Sequence, residues 1–126
     1  MEDIEKRINK IVFTNGCFDI LHRGHVEYLQ KSKALGDLLV VGINSDASVK
    51  RIKGNSRPIN NQQDREFMLK SLECVDEVLV FNEDTPLNII ESLRPNIITK
   101  GGDYTVEEVV GHDIVPETHI IPFKDG

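Results

Sequence analysis

Two histidines, His22 and His25, stand three residues apart in the stretch TNGCFDILHRGHVEYLQ (Thr14–Gln30), with Gly24 between them and a short apolar run just upstream. If a helix opens near Gly24, the N–H groups of its first turn lack intrahelical partners, and the helix dipole adds about half a positive charge there. Such a terminus receives a phosphate readily. Gly24 removes a side chain where a phosphate would approach, and positions 22 and 25 share one side of a helical entry. Two imidazoles placed there can donate hydrogen bonds to a phosphoryl group whose charge redistributes in a transition state. Two other readings stand beside this one. One histidine can be a helix cap and the other a satisfied surface or core residue, or the pair can ligate a metal with Asp19 as a third donor. The metal reading lacks an HExxH pattern and any further obvious ligand.

A second concentration of chemistry is KRIKGNSR, Lys50–Arg57, with four cations in eight residues of an acidic chain. A charge run of this kind is either a solvated face or, with Gly54, Asn55 and Ser56, a flexible loop able to close over a triphosphate. Lys50 and Lys53 are the expected phosphate contacts. Arg65 is placed in the first turn of a helix, where a cation opposes the dipole; a bound phosphate would justify it, and so would an ion pair with Asp64 or Glu66. In Lys100-Gly101-Gly102-Asp103-Tyr104, the glycines permit a tight turn close to a nucleotide, and Asp103 can accept from sugar hydroxyls or from a magnesium-bound water. Tyr104 offers a ring to a base. Ordinary turn chemistry explains Gly-Gly-Asp almost as well.

Several classes are disfavoured. There is no GxxxxGK[ST], and Gly16 stands alone before Cys17-Phe18-Asp19, so neither a P-loop NTPase nor a dinucleotide-binding GxGxxG unit is present. The net charge of −6 argues against nucleic acid or an anionic membrane as partner. The start MEDIEKRINK lacks the apolar stretch of a signal peptide, and no run approaches the roughly 20 residues that span a bilayer, so the cytoplasm is the expected location. Cys17 and Cys74 lie far apart without metal spacing; both are expected to be reduced thiols, Cys74 as a buried small hydrophobe.

The elements that must position these residues follow from periodicity. Short apolar runs read as buried parallel strands at Lys10–Thr14, Leu38–Ile43, Glu77–Phe81, Asn96–Thr99 and His119–Pro122. Between them, Val26, Leu29 and Leu35, with the stem of Lys33, line one side of a helix that Gly36 can close with a left-handed cap. Asn60 or Asn61 can cap the next, with Phe67, Met68, Leu69 and Leu72 on its core side. Thr85 can cap a third, with Pro86 at its first position and Ile89, Ile90 and Leu93 as anchors. A chain of 126 residues with 39% hydrophobic and 29% charged content suits one such domain. The alternation demands an α/β, doubly wound parallel sheet of about five strands, whose ligands bind beyond the strands' carboxyl ends. Thr14, Asn15, Gly16, Cys17, Phe18 and Asp19, then Asn44, Ser45 and Asp46, then Lys100–Tyr104 should converge there.

The run Gly16–His25 (GCFDILHRGH) resembles the GxFDxxHxGH signature of the cytidylyltransferase-like nucleotidyltransferases. Within them, GINSDASVKRIKGNSRPIN, Gln63-Asp64-Arg65, EDTP (Glu83–Pro86) and TKGGDYTVEE (Thr99–Glu108) resemble adenylyltransferase domains that form ADP-heptose, over nearly the whole chain. The resemblance implies a Rossmann-like nucleotidyltransferase that joins ATP, carried with Mg²⁺, to a heptose 1-phosphate and releases pyrophosphate, with no metal held directly by side chains. His22, His25 and Lys50 would be catalytic. Thr14, Asn15, Gly16, Cys17, Phe18, Gly24, Lys53, Arg65, Lys100, Gly102, Asp103 and Tyr104 would bind the nucleotide. A homodimer or larger homo-oligomer is expected, with a separate sugar kinase supplying the acceptor, since some relatives carry that kinase fused. A cytidylyltransferase acting on glycerol phosphate, an FAD synthetase, and a non-catalytic nucleotide-binding module are the alternatives. The family continues into a Ser/Thr-rich segment and a last helix where this sequence reads Phe123–Gly126.

Overall fold

Each apolar run becomes a strand because its side chains are wanted on both faces of one sheet. The computed structural model describes residues 10–122, and the Phe123–Gly126 stretch lies outside them. Strands β1 (Ile11–Gly16), β2 (Leu38–Asn44), β3 (Glu77–Phe81), β4 (Ile97–Gly101) and β5 (Glu117–Ile121) pair in parallel in the order β3-β2-β1-β4-β5. Alternation divides the residues between faces. Val12, Leu39, Val41, Ile43 and Ile97 join one core cluster, whereas Phe13, Val40 and Ile98 join the other. Helices α1 (Arg23–Lys33) and α3 (Gln62–Lys70) cover the first face with Leu29 and Leu69, and α4 (Leu87–Leu93) covers the second with Ile90. Helix α2 (Asp46–Lys53) follows β2 directly, capped by Ser45, whose side chain accepts from the Ser48 N–H.

The chain winds from β1 outward to β3, then crosses back to β4 on the other side of β1, so the switch point lies between β1 and β4. Here the strands run further than their apolar residues. Asn15 and Gly16 extend β1, and Lys100 and Gly101 extend β4, because ladder pairing with β2 and β5 continues after the hydrophobic run has ended.

Four local expectations are corrected. Gly36 does not cap in a left-handed conformation: α1 ends through Ala34 in a right-handed one, and Gly36 is required because a Cβ there would come within 2.8 Å of the Lys10 carbonyl oxygen. Phe67 and Met68 are 71% and 53% exposed, so only Leu69 and Leu72 face the core from that run. Pro86 is itself the N-cap of α4 and Thr85 gives no cap bond. The first half of KRIKGNSR is helix rather than loop, since α2 runs through Lys53, and only Gly54–Arg57 continue as loop. Of the two candidate asparagines, Asn61 is the cap of α3, accepting from the Asp64 N–H. Cys74 is half-buried and packs against the first cluster. No helix among the described residues is long and apolar enough to cross a membrane.

A chain of hydroxyls fixes α1 to the switch point. The Thr14 hydroxyl donates to the Thr99 carbonyl, 3.0 Å away, and therefore accepts from the Tyr28 hydroxyl. Thr99 Oγ1 lies 3.1 Å from the Tyr28 hydroxyl and 2.8 Å from that of Ser32. All four residues are buried, and burial pushes the Tyr28 phenol above its usual range, keeping it a neutral donor. Tyr28→Phe is expected to cost about 1–3 kcal/mol, since it strands buried hydroxyls whose geometry was built around it. Thermal unfolding of the two proteins checks this, and an unchanged midpoint would show that the remaining hydroxyls re-pair among themselves.

Candidate active site

The site is assembled from the turn that follows β1. Phe18 takes a left-handed backbone conformation, φ 47°, rare for a residue with a side chain. The consequence is that its ring folds back over Gly16, where a Cβ would sit 3.0 Å from it, and meets the His25 ring edge-on at 5.5 Å. Glycine at 16 leaves room for the Phe18 ring in this position, and that ring supports the imidazole.

His22 is the N-cap of α1, and the two histidines cap each other's turn. The Gly24 N–H donates to His22 Nδ1 at 3.1 Å, and the His22 N–H donates to His25 Nδ1 at 3.4 Å. This is a capping box in which imidazoles replace the usual hydroxyl and carboxylate. The rings stack with centroids 3.9 Å apart. Because both Nδ1 atoms accept, each neutral ring carries its hydrogen on Nε2. The expectation of unsatisfied amides at this terminus is corrected in part: the Gly24 N–H is engaged by His22 and is not open to a phosphate, while both imidazoles line the cleft. The capping and phosphate readings describe two nitrogens of the same rings.

Burial, then the neighbouring His22, holds the His25 imidazole below the ordinary histidine value. An NMR titration should therefore find His25 below about 6.5. The sign follows from linkage. The unfolded chain takes the proton first, so the stability present above the ordinary value is lost as pH falls from there through the folded value. A titration at or above the ordinary value would show that water reaches the ring more freely than its packing against Phe18 and His22 allows.

A cleft of about 530 Å³ opens at the carboxyl ends of β1 and β4. His22, His25, Asn15, Gly16, Cys17 and Phe18 form its floor and one wall; Lys53, Arg57, Lys100 and Tyr104 bring positive charge and an aromatic ring. Lys100 holds its ammonium 5.2 Å from the centre of the Tyr104 ring, and burial depresses its pKa although the Cys17 side chain opposes this. A partly desolvated cation of this kind gains by receiving an anion. A second hollow, about 460 Å³, shares Asn15, Gly16, Cys17, Lys53, Lys100 and Tyr104 with the first and continues to Asn44, Ile52, Asp84, Thr85, Pro86, Glu108 and Val109. Two compartments meet along one wall.

The expected residues divide accordingly. Asn15, Gly16, Cys17, Phe18, Lys53, Lys100 and Tyr104 join the histidines in the cleft. Thr14 lies beneath it as part of the hydroxyl chain, and Gly102 and Asp103 line neither hollow. The Gly102 N–H instead ties its turn to the Ile121 carbonyl at the end of β5. Lys50 is exposed on α2 and also lines neither hollow, whereas Lys53, in the last turn of the same helix, lines both.

Arg65 is the clearest correction. Its side chain is fully buried, and it pairs with Asp46 at 2.9 Å rather than with Asp64 or Glu66. Its other donors reach the carbonyls of Asn60, Cys17 and Asn44 at 3.0, 2.9 and 2.7 Å. Those bonds join the ends of β1 and β2 to the loop before α3 and leave the guanidinium engaged within the fold rather than presented to a phosphate.

Spacing does not single out Arg57 or Tyr28, and it offers Asp19 only as a possible metal donor. Asp19 accepts from the Ile59 and Asn60 N–H groups, each at 2.8 Å. Burial raises its pKa, but these amides together with Arg65 and Arg57 outweigh that and hold the carboxyl below its usual range. Among the described residues no group of three or more His, Cys, Asp or Glu side chains is gathered to hold a metal ion. Asp19, the carboxylate in the first cleft, already accepts through both oxygens.

Comparison with known proteins places this arrangement. A family model described as Cytidylyltransferase-like matches residues 13–124. The chain is 61% identical over 125 residues to the bifunctional protein HldE of a Nitratiruptor species, and 58% identical over 126 residues to that of Helicobacter pylori (strain J99). These alignments cover 99% and 100% of this chain but 27% of each relative, so the chain spans about a quarter of their length. The crystal structure of a lipopolysaccharide core biosynthesis protein from Thermoplasma volcanium GSS1 superposes with a TM-score of 0.77 at 32% identity, covering 91% of this chain and 98% of that one.

Proposed function

The chain belongs to the cytidylyltransferase-like family, and from that membership we propose that it transfers AMP from ATP to a heptose 1-phosphate, releasing pyrophosphate and forming ADP-heptose. The observation that carries the reading is the stacked histidine pair, with hydrogens on Nε2, in a cation-lined cleft at the switch point. The similarity to HldE proteins and to a lipopolysaccharide core biosynthesis protein supports a sugar phosphate as the acceptor.

The chemistry needs no nucleophile from the protein. An oxygen of the acceptor phosphate, already ionised at neutral pH, attacks the α-phosphorus of ATP; the new P–O bond forms as the bond to the β-phosphate oxygen breaks, and pyrophosphate leaves in line. Mg²⁺ arrives with ATP as part of the substrate and neutralises its triphosphate. The residues of this chain position and stabilise charge: the His22 and His25 donors face the transferred group, and Lys53 and Lys100 flank it at the wall shared by the two hollows. No base is required, and Asp19, the carboxylate in the first cleft, serves the Ile59 and Asn60 N–H groups. The sugar 1-phosphate must come from an enzyme that phosphorylates the sugar.

A pyrophosphate-release assay tests the proposal with ATP and CTP, each against heptose 1-phosphate, glycerol 3-phosphate and flavin mononucleotide. Release with ATP and heptose 1-phosphate is expected. Activity confined to CTP would overturn the nucleotide assignment, and nucleotide binding with no release from any pair would leave a non-catalytic module.

A further inference from the structure

We propose that Arg57 binds the terminal phosphates of the nucleoside triphosphate and the pyrophosphate that leaves, and that Asp19 is the residue that positions it. The inference rests on the nucleotidyl-transfer reading and extends it to a residue and a direction across the cleft.

Arg57 lines only the hollow that holds the histidine pair, whereas Lys53 and Lys100 line both hollows. In-line displacement puts the incoming and leaving oxygens on opposite sides of the phosphorus, so two hollows meeting at a shared wall supply the two sides. Charge decides which side is which. The hollow with Arg57 has the N-terminus of α1, three basic side chains and the single carboxylate Asp19, whose oxygens are taken by backbone N–H groups. The other hollow lacks a third cation and carries Asp84, which pairs with Arg51 at 3.0 Å, and Glu108, which accepts from the Thr105 N–H, beside Ile52, Pro86, Val109 and Val110. A triphosphate tail and pyrophosphate are the most highly charged groups in the reaction and belong with the cations; carboxylates suit the hydroxyls of a sugar. Arg57 is therefore on the leaving-group side.

The loop that carries Arg57 is fixed from the turn after β1. Besides accepting from Ile59 and Asn60, Asp19 receives the Asn60 side-chain amide on its backbone carbonyl at 2.5 Å. Its carboxylate is 4.0 Å from Arg57 Nη1, close enough to bias the guanidinium and too far to hold its hydrogens. The Asp19 side chain is 13% exposed and that of Arg57 45%, so the anchor is fixed while the fork stays accessible to a ligand. Arg65, with its donors buried among carbonyls, shows the contrast. A planar fork accepts two phosphate oxygens at once, which a lysine ammonium does not reproduce.

The test compares wild type, Arg57→Ala and Arg57→Lys by calorimetric binding of pyrophosphate, which needs no turnover, and by steady-state kinetics. Pyrophosphate affinity is expected to fall about tenfold or more in Arg57→Ala, the consequence of losing charge-assisted hydrogen bonds, and by less in Arg57→Lys. KM for ATP should rise in parallel while KM for the acceptor stays within about twofold, since uniform binding is lost only on the nucleotide side. Asp19→Asn keeps the shape but only one of the two acceptors that hold the Ile59–Asn60 backbone, and removes the charge, so as the positioning residue it should lower pyrophosphate affinity by a smaller factor than Arg57→Ala. Unchanged pyrophosphate affinity in Arg57→Ala, or a rise in acceptor KM alone, overturns the assignment. Those outcomes are distinct from failure of the transfer reading, in which wild type itself releases no pyrophosphate.

Discussion

His25→Ala is expected to lower turnover about two to three orders of magnitude, the loss that follows removal of one preorganised transition-state donor. The structure makes this prediction sharper than the motif could, because it shows a capping task on one nitrogen of His25 beside the proposed catalytic one. Its Nδ1 accepts from the His22 N–H and helps to close the first turn of α1. Alanine removes both roles, so a fall in activity alone would not separate them. Glutamine does separate them. At the third helical position a Gln side chain is an ordinary partner in a capping box and restores the acceptor, but it supplies no imidazole Nε2–H. His25→Gln is therefore expected to unfold close to wild type and remain as inactive as the alanine variant. Recovery of activity in His25→Gln would reduce His25 to a cap and remove it from the mechanism. The same logic applies at position 22, where Asn is among the best N-caps. His22→Asn should keep the helix and lose turnover.

The largest expected effect on stability lies at a residue that charge alone would assign to the ligand. Arg65→Met is expected to destabilise the fold by about 3–5 kcal/mol, because it takes a buried donor from three backbone carbonyls, each left unsatisfied at a cost of about 1–3 kcal/mol. Those carbonyls belong to Asn60, Cys17 and Asn44, while Asp46, whose side chain is 34% exposed, can turn to water. Against a total stability of about 5–15 kcal/mol for a domain of this kind, that loss is a large share of the whole. Urea denaturation monitored by circular dichroism measures it. A loss under about 1 kcal/mol would mean that water enters and satisfies those carbonyls. Arg65→Lys keeps a charge but cannot span four acceptors with one ammonium, and should recover only part of the difference.

Arg57 and Arg65 define how far residue type can be read as role. Both lie near the same turn and both are arginines in a cation-rich neighbourhood. One side chain is 45% exposed on the cleft and the other is fully buried. Nothing in their spacing distinguishes them, because exposure is set by what packs above each residue. The loop that carries Arg57 is held over the cleft by Asp19, forty residues away in sequence from Ile59. Lys50 and Lys53 differ for a related reason. Spacing groups them as loop cations, but both lie on α2, and only Lys53, in its last turn beside Gly54, lines the cleft.

The order of the strands and of every helix but α2, the parallel sheet, the convergence of Gly16–His25 with Lys100 and Tyr104, and the family itself were fixed by local pattern: apolar runs of strand length, cap residues, and a signature whose spacing suits phosphate. Such features depend on neighbours within a few residues, so sequence determines them directly. Which cation faces the cleft, which amides a cap consumes, and why Phe18 accepts a strained backbone were decided only by the tertiary structure. Each depends on contacts between segments distant in the chain, where burial and competing hydrogen-bond partners choose between side chains of identical type.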